Sequence, residues 1–372
     1  MTRKEQKILV LAGGGHAHLY TLARALELQK ACVRVILVSP EEHQYYSGMG
    51  PGLLSGLYSP DETRFDLRRL CEKGGVDFIK GAVKAVNPDE KSLTLEDGSE
   101  LSYDIASFNV GSRVETDKIP GAREFARPVK PISNLYAARG EILALLQRKN
   151  SAFAVIGGGP AGVEVAGNLW RLANEAGREA SITVIEGGGR LLGSLPEKAS
   201  ACARSSLESR GIRVFTGGRV MAVEKAGVSL ETGEAVPADI TFLATGVSPP
   251  PLFRDSGLSA GTSEGLEVDD YLRHPRHREL FGGGDCVTNP GHPLPRVGVY
   301  AVRQAPVLYR NLFAALTGGK PARFKPQKKY LLILNLGDGT GLFVRGGLVL
   351  RGEWALWLKN RLDTSFMTRY RG

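Results

Sequence analysis

The sequence predicts an α/β chain of two Rossmann-like, doubly wound nucleotide-binding domains, closed by a small C-terminal α+β tail. Three observations predict it. An apolar run, a glycine turn and a helical pattern follow one another at 7–26 and again at 152–172. Each unit leads into a second apolar run, at 33–38 and at 181–185, and then into short alternating strands. Two such strand–turn–helix–strand units define two doubly wound domains. The length, 372 residues, suits two or three domains, and 42% apolar against 23% charged residues is the composition of a folded globular chain.

The first strand is the run at 8–12, too short for a signal-peptide core and preceded by polar residues. No apolar run approaches the roughly 20 residues of a membrane-spanning helix. The turn that follows, Gly13-x-Gly15-x-x-His18, lacks a third glycine, so either His18 sits at the helix–strand contact or the helix stands off slightly. The second strand ends at Ser39-Pro40 with Glu41 and Glu42 behind, which displaces the usual ribose-binding acid. Segments 81–88, 92–96 and 103–110 alternate as strands, and Asp97-Gly98 between two of them is a hairpin turn. Residues 121–130, among Pro120, Pro128 and Pro131, read as a linker. Lys130 either caps that linker or faces a cofactor, and the linker reading is preferred.

In the second unit, Gly157-x-Gly159-x-x-Gly162 follows a strand and opens a helix. Glycines there permit a tight turn, close approach of backbone to a pyrophosphate and close helix packing, and the helix N-terminus supplies the positive pole. Glu186 ends the next strand. A carboxylate there accepts hydrogen bonds from a ribose and repels a 2′-phosphate, which favours NADH over NADPH; Arg190 works against that preference. Strands at 214–223, 228–230 and 240–246 follow, then a strand into Gly284-Asp285-Cys286 and a helix near 298–316. The tail reads as strands at 330–336, 341–345 and 348–351, then a helix from Glu353. Trp354, Trp357, Leu358, Leu362, Phe366 and Tyr370 recur there at helical spacing, with Lys359, Arg361 and Arg369 expected on the surface.

These readings place a first domain at 1–125 and 270–325, a second at 145–262 and the tail at 326–372. Of the net charge of +9, +8 lies in residues 320–372, where 11 basic side chains meet three acidic ones. The body is nearly neutral, so the charge is not a nucleic-acid footprint but a property of the tail. Cys32, Cys71, Cys202 and Cys286 form no close pair, which argues for a reducing compartment and against a disulfide scaffold or zinc site. His16 and His18, two apart at a helix start, diverge rather than converge on a metal.

The two glycine turns, the strand-to-turn segments Tyr103–Ser112 and Asp239–Gly246, and Glu279–Cys286 together resemble the pyridine nucleotide–disulfide oxidoreductase superfamily. These are glutathione-reductase-like flavoproteins with two dinucleotide-binding domains. Within it the chain is most like the type II NADH dehydrogenase branch, and in particular the flavoprotein family found alone or fused to the N-terminus of selenide, water dikinase. Residues 13–18, 46–56, 128–132, 298–304, 337–338 and 357–367 carry that likeness. The resemblance implies FAD on the first unit, at Gly13, Gly15, His16, Ser39, Val83, Asn109, Gly111, Ser112 and Asp285. It implies NADH on the second, at Gly157, Gly159, Gly162, Glu186 and Gly246. It implies that Glu164 sits at the nicotinamide–flavin contact; the alternative is a first-turn acid stabilised by the helix dipole. It implies that Gln304, with Arg303, faces a quinone.

One departure matters. The stretch 45–56, where disulfide reductases carry a redox-active cysteine, has none, and a flavin–dithiol relay needs that thiolate. The expected function is therefore an FAD-dependent oxidoreductase taking hydride from NADH and passing electrons to a quinone-like acceptor. The alternatives are a sulfide:quinone-type or selenium- or sulfur-compound reductase, for which Cys286 alone could lie near the flavin, and a non-enzymatic flavin-binding assembly protein. The expected location is cytoplasmic, with the tail helix, 353–372, either on the inner face of the membrane, packed on the body, or in a homodimer interface.

Overall fold

The computed structural model of the chain describes residues 6–259, 261, 263–327 and 329–371; Lys328, one of the tail's basic residues, lies outside them. The elements that build the site begin with β1 (Lys7–Ala12), α1 (His16–Leu22), β2 (Val33–Ser39), α2 (Gly50–Ser55), β3 (Asp77–Lys80) and β4 (Ile105–Phe108). They continue with β5 (Ala126–Pro128), α3 (Ser133–Arg148), β6 (Ser151–Ile156), α4 (Pro160–Glu175), β7 (Ala180–Glu186), β8 (Arg213–Thr216) and β9 (Ile240–Leu243). The last are β10 (Leu280–Gly282), α5 (Gly298–Thr317), β11 (Leu331–Asn335), β12 (Gly341–Arg345), β13 (Leu348–Gly352) and α6 (Glu353–Thr368).

Among the described residues, the first sheet has the order β10-β4-β1-β2-β3, all parallel, with Leu11 opposite Leu37. The second has the order β5-β9-β6-β7-β8, also all parallel, with Val155 opposite Val184. Leu9, Val10, Leu11 and Ala12 are fully buried. Such continuous apolar runs are what a strand covered on both faces requires. In each sheet the first strand of the unit, β1 or β6, has its own successor on one side and a later strand on the other. The crevice that opens there lies at the carboxyl ends, where the glycine turns sit.

The segment read as a linker is a strand. β5 pairs in parallel with β9, so the second sheet starts near 126 and not near 145. Pro128 is tolerated because β5 is the edge of the sheet, where a missing N–H leaves no partner unsatisfied.

The tail forms an antiparallel sheet, β11-β12-β13, capped by α6. It is seated on α4 of the second domain. Side chains at Gly167 or Gly337 would have their Cβ 2.1 Å from the Leu336 carbonyl oxygen or 2.0 Å from that of Gly167, so only glycines allow this approach. Asn335 Nδ2 donates to Asn168 Oδ1 at 3.1 Å, and Ser55 Oγ of α2 donates to the same oxygen at 2.8 Å. Three parts of the chain thus meet at one buried amide.

α6 does not turn its tryptophans inward. Ala355, Leu356, Lys359, Asp363, Phe366 and Met367 form its buried face, and Trp354, Trp357 and Leu362 are exposed. The expectation that Lys359 lies on the surface is corrected: it is 7% exposed, because Asp363 one turn on accepts from its ammonium at 2.7 Å.

Candidate active site

A cleft of about 440 Å³ opens at the carboxyl ends of the first sheet, within the size range of small-molecule sites. Its lining includes Ser39, Glu41, Val83 and Glu96 as well as Lys130, Asp285, Gly298 and Ala301. Gly13, Gly15, His16, Asn109, Gly111 and Ser112 lie along it. Every first-unit residue named from the sequence is therefore in one cavity.

The turn is built by hydrogen bonding. Asn109, at the end of β4, accepts from the Ala17 N–H at 2.8 Å through Oδ1 and donates to the Gly283 carbonyl at 2.5 Å through Nδ2. It therefore ties the start of α1 to the turn that carries Asp285. His18, fully buried, takes the place of the missing third glycine. Its Nδ1 bonds the Gly13 carbonyl at 2.6 Å and its Nε2 the Ser107 hydroxyl at 2.9 Å, so both ring nitrogens are satisfied at the helix–strand contact.

His16 turns the other way, to the cleft. Its Nε2 is buried with no protein partner. Burial lowers its pKa to about 4 against the pull of Asp285, with nearby Lys130 adding to the depression, so the ring is neutral. Tyr46 packs edge-on to it, with centroids 5.4 Å apart, and Phe366 of α6 lies 6.1 Å away.

Lys130 is not a linker cap. Its ammonium donates to Asp285 Oδ2 at 2.7 Å and to Ser112 Oγ at 2.9 Å, and Ser112 Oγ donates to Asp285 at 2.8 Å. Burial opposes ionisation of Asp285, but this ammonium, with the hydroxyl, holds its carboxyl below the usual carboxylate range.

Gln304 is 3% exposed, and its Oε1 accepts from the Gly284 N–H at 2.6 Å. It braces the turn that carries Asp285 and lines a second cavity of about 230 Å³ with Tyr300, Arg296 and Phe324, which adjoins the main cleft at Asp285. Cys286 is fully buried and its thiol donates to the Phe108 and Gly283 carbonyls. Burial pushes it up to about 12, which removes it as a thiolate nucleophile. No cysteine is among the residues that line the cleft.

In the second unit a Cβ at Gly162 would lie 1.8 Å from the Gly157 carbonyl oxygen, the close helix–strand approach expected of the third glycine. Positions Gly159 and Gly246 have open space where a Cβ would point. The Glu186 carboxylate accepts from the Gly158 N–H at 2.6 Å and the Gly188 N–H at 2.7 Å, and so stands at the mouth of the turn. Arg190 points away from it: its guanidinium donates to the carbonyls of Leu192, Gly193 and Leu195.

Glu164 does not line the cleft. Its Oε1 accepts from the Asn335 N–H of the tail at 2.7 Å. Burial raises its pKa to about 7, although Lys359 and that N–H pull it down. The ammonium of Lys359 also donates to the Gly48 carbonyl, in the loop that carries Tyr45 and Ser47 along the cleft. Neither Lys359 nor Asp363 was legible as part of a site.

The residues present fit FAD in the first cleft. A glycine turn opens a helix, an acid, Asp285, lines the cleft, and the buried Nε2 of His16 is left without a partner. The fold and the two turns define a flavoprotein with two dinucleotide-binding domains. The chain belongs to the pyridine nucleotide-disulphide oxidoreductase family, which matches residues 7–305. It is 26% identical to the demethylphylloquinone reductase NdbB of Synechocystis over 96% of this chain and 91% of that one. It is 25% identical to the NADH dehydrogenase-like protein YutJ of Bacillus subtilis over 96% and 97%. Among solved structures, NDH2 from Plasmodium falciparum in complex with NADH shares the fold at a TM-score of 0.83 and 16% identity, covering 99% of this chain and 98% of that chain. The sulfide:quinone oxidoreductase of Aquifex aeolicus does so at 0.81 and 17%, covering 98% and 91%.

Proposed function

We propose that the chain is an FAD-dependent NADH oxidoreductase that passes electrons to a quinone-class acceptor at a membrane surface. The observation that carries this reading is a cofactor-sized cleft with an acid–ammonium pair and no cysteine in its lining. Bound FAD supplies the chemistry, accepting a hydride and releasing electrons singly or in pairs. The chain's residues bind and orient. Gly13, Gly15 and the α1 N-terminus face the pyrophosphate, and Asp285 takes the ribitol. The second turn seats the nicotinamide nucleotide, with Glu186 on the adenosine ribose. Because Arg190 is committed to its own loop, it does not offset the repulsion between Glu186 and a 2′-phosphate, and NADH is preferred over NADPH.

The acceptor is read as a quinone because the relatives include a demethylphylloquinone reductase and because no thiolate is available for a sulfur relay. Glu164, with its Oε1 on the tail and its carboxyl near neutrality, is better placed to hold and release a proton than to orient a carboxamide. No helix among the described residues is long and apolar enough to cross a membrane. The tail instead offers an outward apolar face of Leu348, Leu350, Trp354 and Trp357 beside its basic residues, which suits peripheral contact with anionic lipid.

The test is anaerobic reduction of the FAD-loaded protein by NADH, followed by mixing with a menaquinone analogue, sulfide, polysulfide, selenite or oxygen. Rapid bleaching and rapid reoxidation by the quinone are expected. Bleaching without reoxidation by quinone would overturn the acceptor, and no bleaching by either NADH or NADPH would overturn the enzyme reading.

A further inference from the structure

We propose that Lys130 is the fixed cation that stabilises the electron-rich, reduced form of the bound flavin. The proposal rests on the reading of the cleft as an FAD site and adds to it a residue that sets the cofactor's energy. Among the described residues that line the cleft, Lys130 is the one lysine or arginine; the charged companions are Glu41, Glu96 and Asp285. His16 adds no charge, because its ring is neutral at physiological pH.

Position matters as much as sign. Lys130 is bonded to Asp285 and Ser112, on the turns that follow β10 and β4, whereas Ser39, Val83 and Glu96 gather where β2 ends, through the Gly81–Ser39 and Glu96–Ala82 backbone bonds. That strand end meets the adenosine half of a dinucleotide in doubly wound domains. The redox-active half therefore lies on the Lys130 side.

The ammonium is also held still. Asp285 at 2.7 Å and Ser112 at 2.9 Å take two of its three protons, and the Ser112–Asp285 bond closes the triangle. Its side chain is 25% exposed and that of Asp285 11%, so the pair is shielded from the full screening of bulk water. A pre-oriented cation in such a place costs no reorganisation when negative charge arrives, and so lowers the energy of the reduced state relative to the oxidised one. Pairing with Asp285 fixes the ammonium's place while leaving its third proton for a new acceptor. A purely structural salt bridge would predict a change in stability alone.

The experiment is an equilibrium reduction of the FAD-loaded protein against a reference dye, read from flavin and dye absorbance, for wild type, Lys130→Met, Lys130→Gln and Lys130→Arg. At a fixed potential the two neutral variants are expected to lose at least tenfold in the ratio of reduced to oxidised flavin, about 30 mV for a two-electron couple. Lys130→Arg is expected to stay within about threefold of wild type. Neutral variants within threefold of wild type would overturn the proposal, as would an arginine variant shifted as far as they are. Neutral variants that hold no FAD while the arginine variant does would overturn it too, by assigning Lys130 to binding rather than to redox poise. A wild-type protein that takes up no FAD would sink the flavoprotein reading itself.

Discussion

The ammonium of Lys359 donates to the backbone carbonyl of Gly48 at 2.6 Å. These residues are 311 positions apart. The bond ties the last helix to the loop that edges the flavin cleft, and Asp363 completes the buried pair at 2.7 Å. Burial works against the charge of Lys359, yet Asp363 and Glu164 raise its pKa above the usual lysine value.

Replacing Lys359 by Met strands a buried carboxylate. A loss of about 3–5 kcal/mol in unfolding free energy is expected, since breaking one side of a buried pair leaves an uncompensated charge. The double variant Lys359→Met with Asp363→Leu should recover most of it. Denaturant unfolding of the FAD-loaded protein checks both.

Glu164 titrates near 7 in the folded protein, above the ordinary 4.5. The native state then binds more protons than the unfolded state between those values, so this group's contribution to stability falls as pH rises from about 4.5 to about 7 and is level above. Glu164→Gln should flatten that slope in a melting-temperature series, with a gain on the order of 1–3 kcal/mol at pH 8. It should also remove an inflection near pH 7 from quinone-dependent turnover; a profile unchanged by the substitution would reject the proton role.

Glu186→Ala should lower kcat/KM for NADH about 10- to 100-fold, the effect of losing a charge-assisted pair of hydrogen bonds. NADPH should not be gained in exchange, because Arg190 keeps its three carbonyl partners. Steady-state kinetics with both nucleotides decides it.

Trp357 is 61% exposed and Trp354 45%, and Leu348 and Leu350 of β13 are exposed as well. Replacing both tryptophans by Ser should cut sedimentation with vesicles containing anionic lipid at least about tenfold, on the apolar area removed. The rate of flavin reduction by NADH should not change. Added salt should weaken the remaining binding, through the basic residues alone.

Much of the fold is legible because glycine turns are local: Gly13 and Gly157 announce where each sheet delivers its ligand. The acid at the end of β7 and the Asp285 turn follow from the same grammar. The failures are of another kind. Lys130 read as a linker cap because a strand of three residues, β5, carries too little pattern to be seen. Lys359 read as surface because helical spacing reports the apolar stripe but not a buried ion pair laid across it. For Lys130 the deciding partners, Ser112 and Asp285, are distant in sequence; for Lys359 the partner Asp363 is one turn away, but the packing of that pair on the Gly48 loop is something spacing within α6 does not report.

The contact between Gly167 and Gly337 makes the tail and the second domain a single mechanical piece. Shortening the chain before α6 is thus no neutral way to ask what the last helix does at a lipid surface. It would strip the Gly48 carbonyl of its donor, open the packing beside Glu164 and take Phe366 away from His16 and Tyr46. An experimenter comparing full-length and clipped protein would be measuring a damaged catalyst and calling it a detached anchor. Substitutions confined to the outward tryptophans keep those two quantities apart.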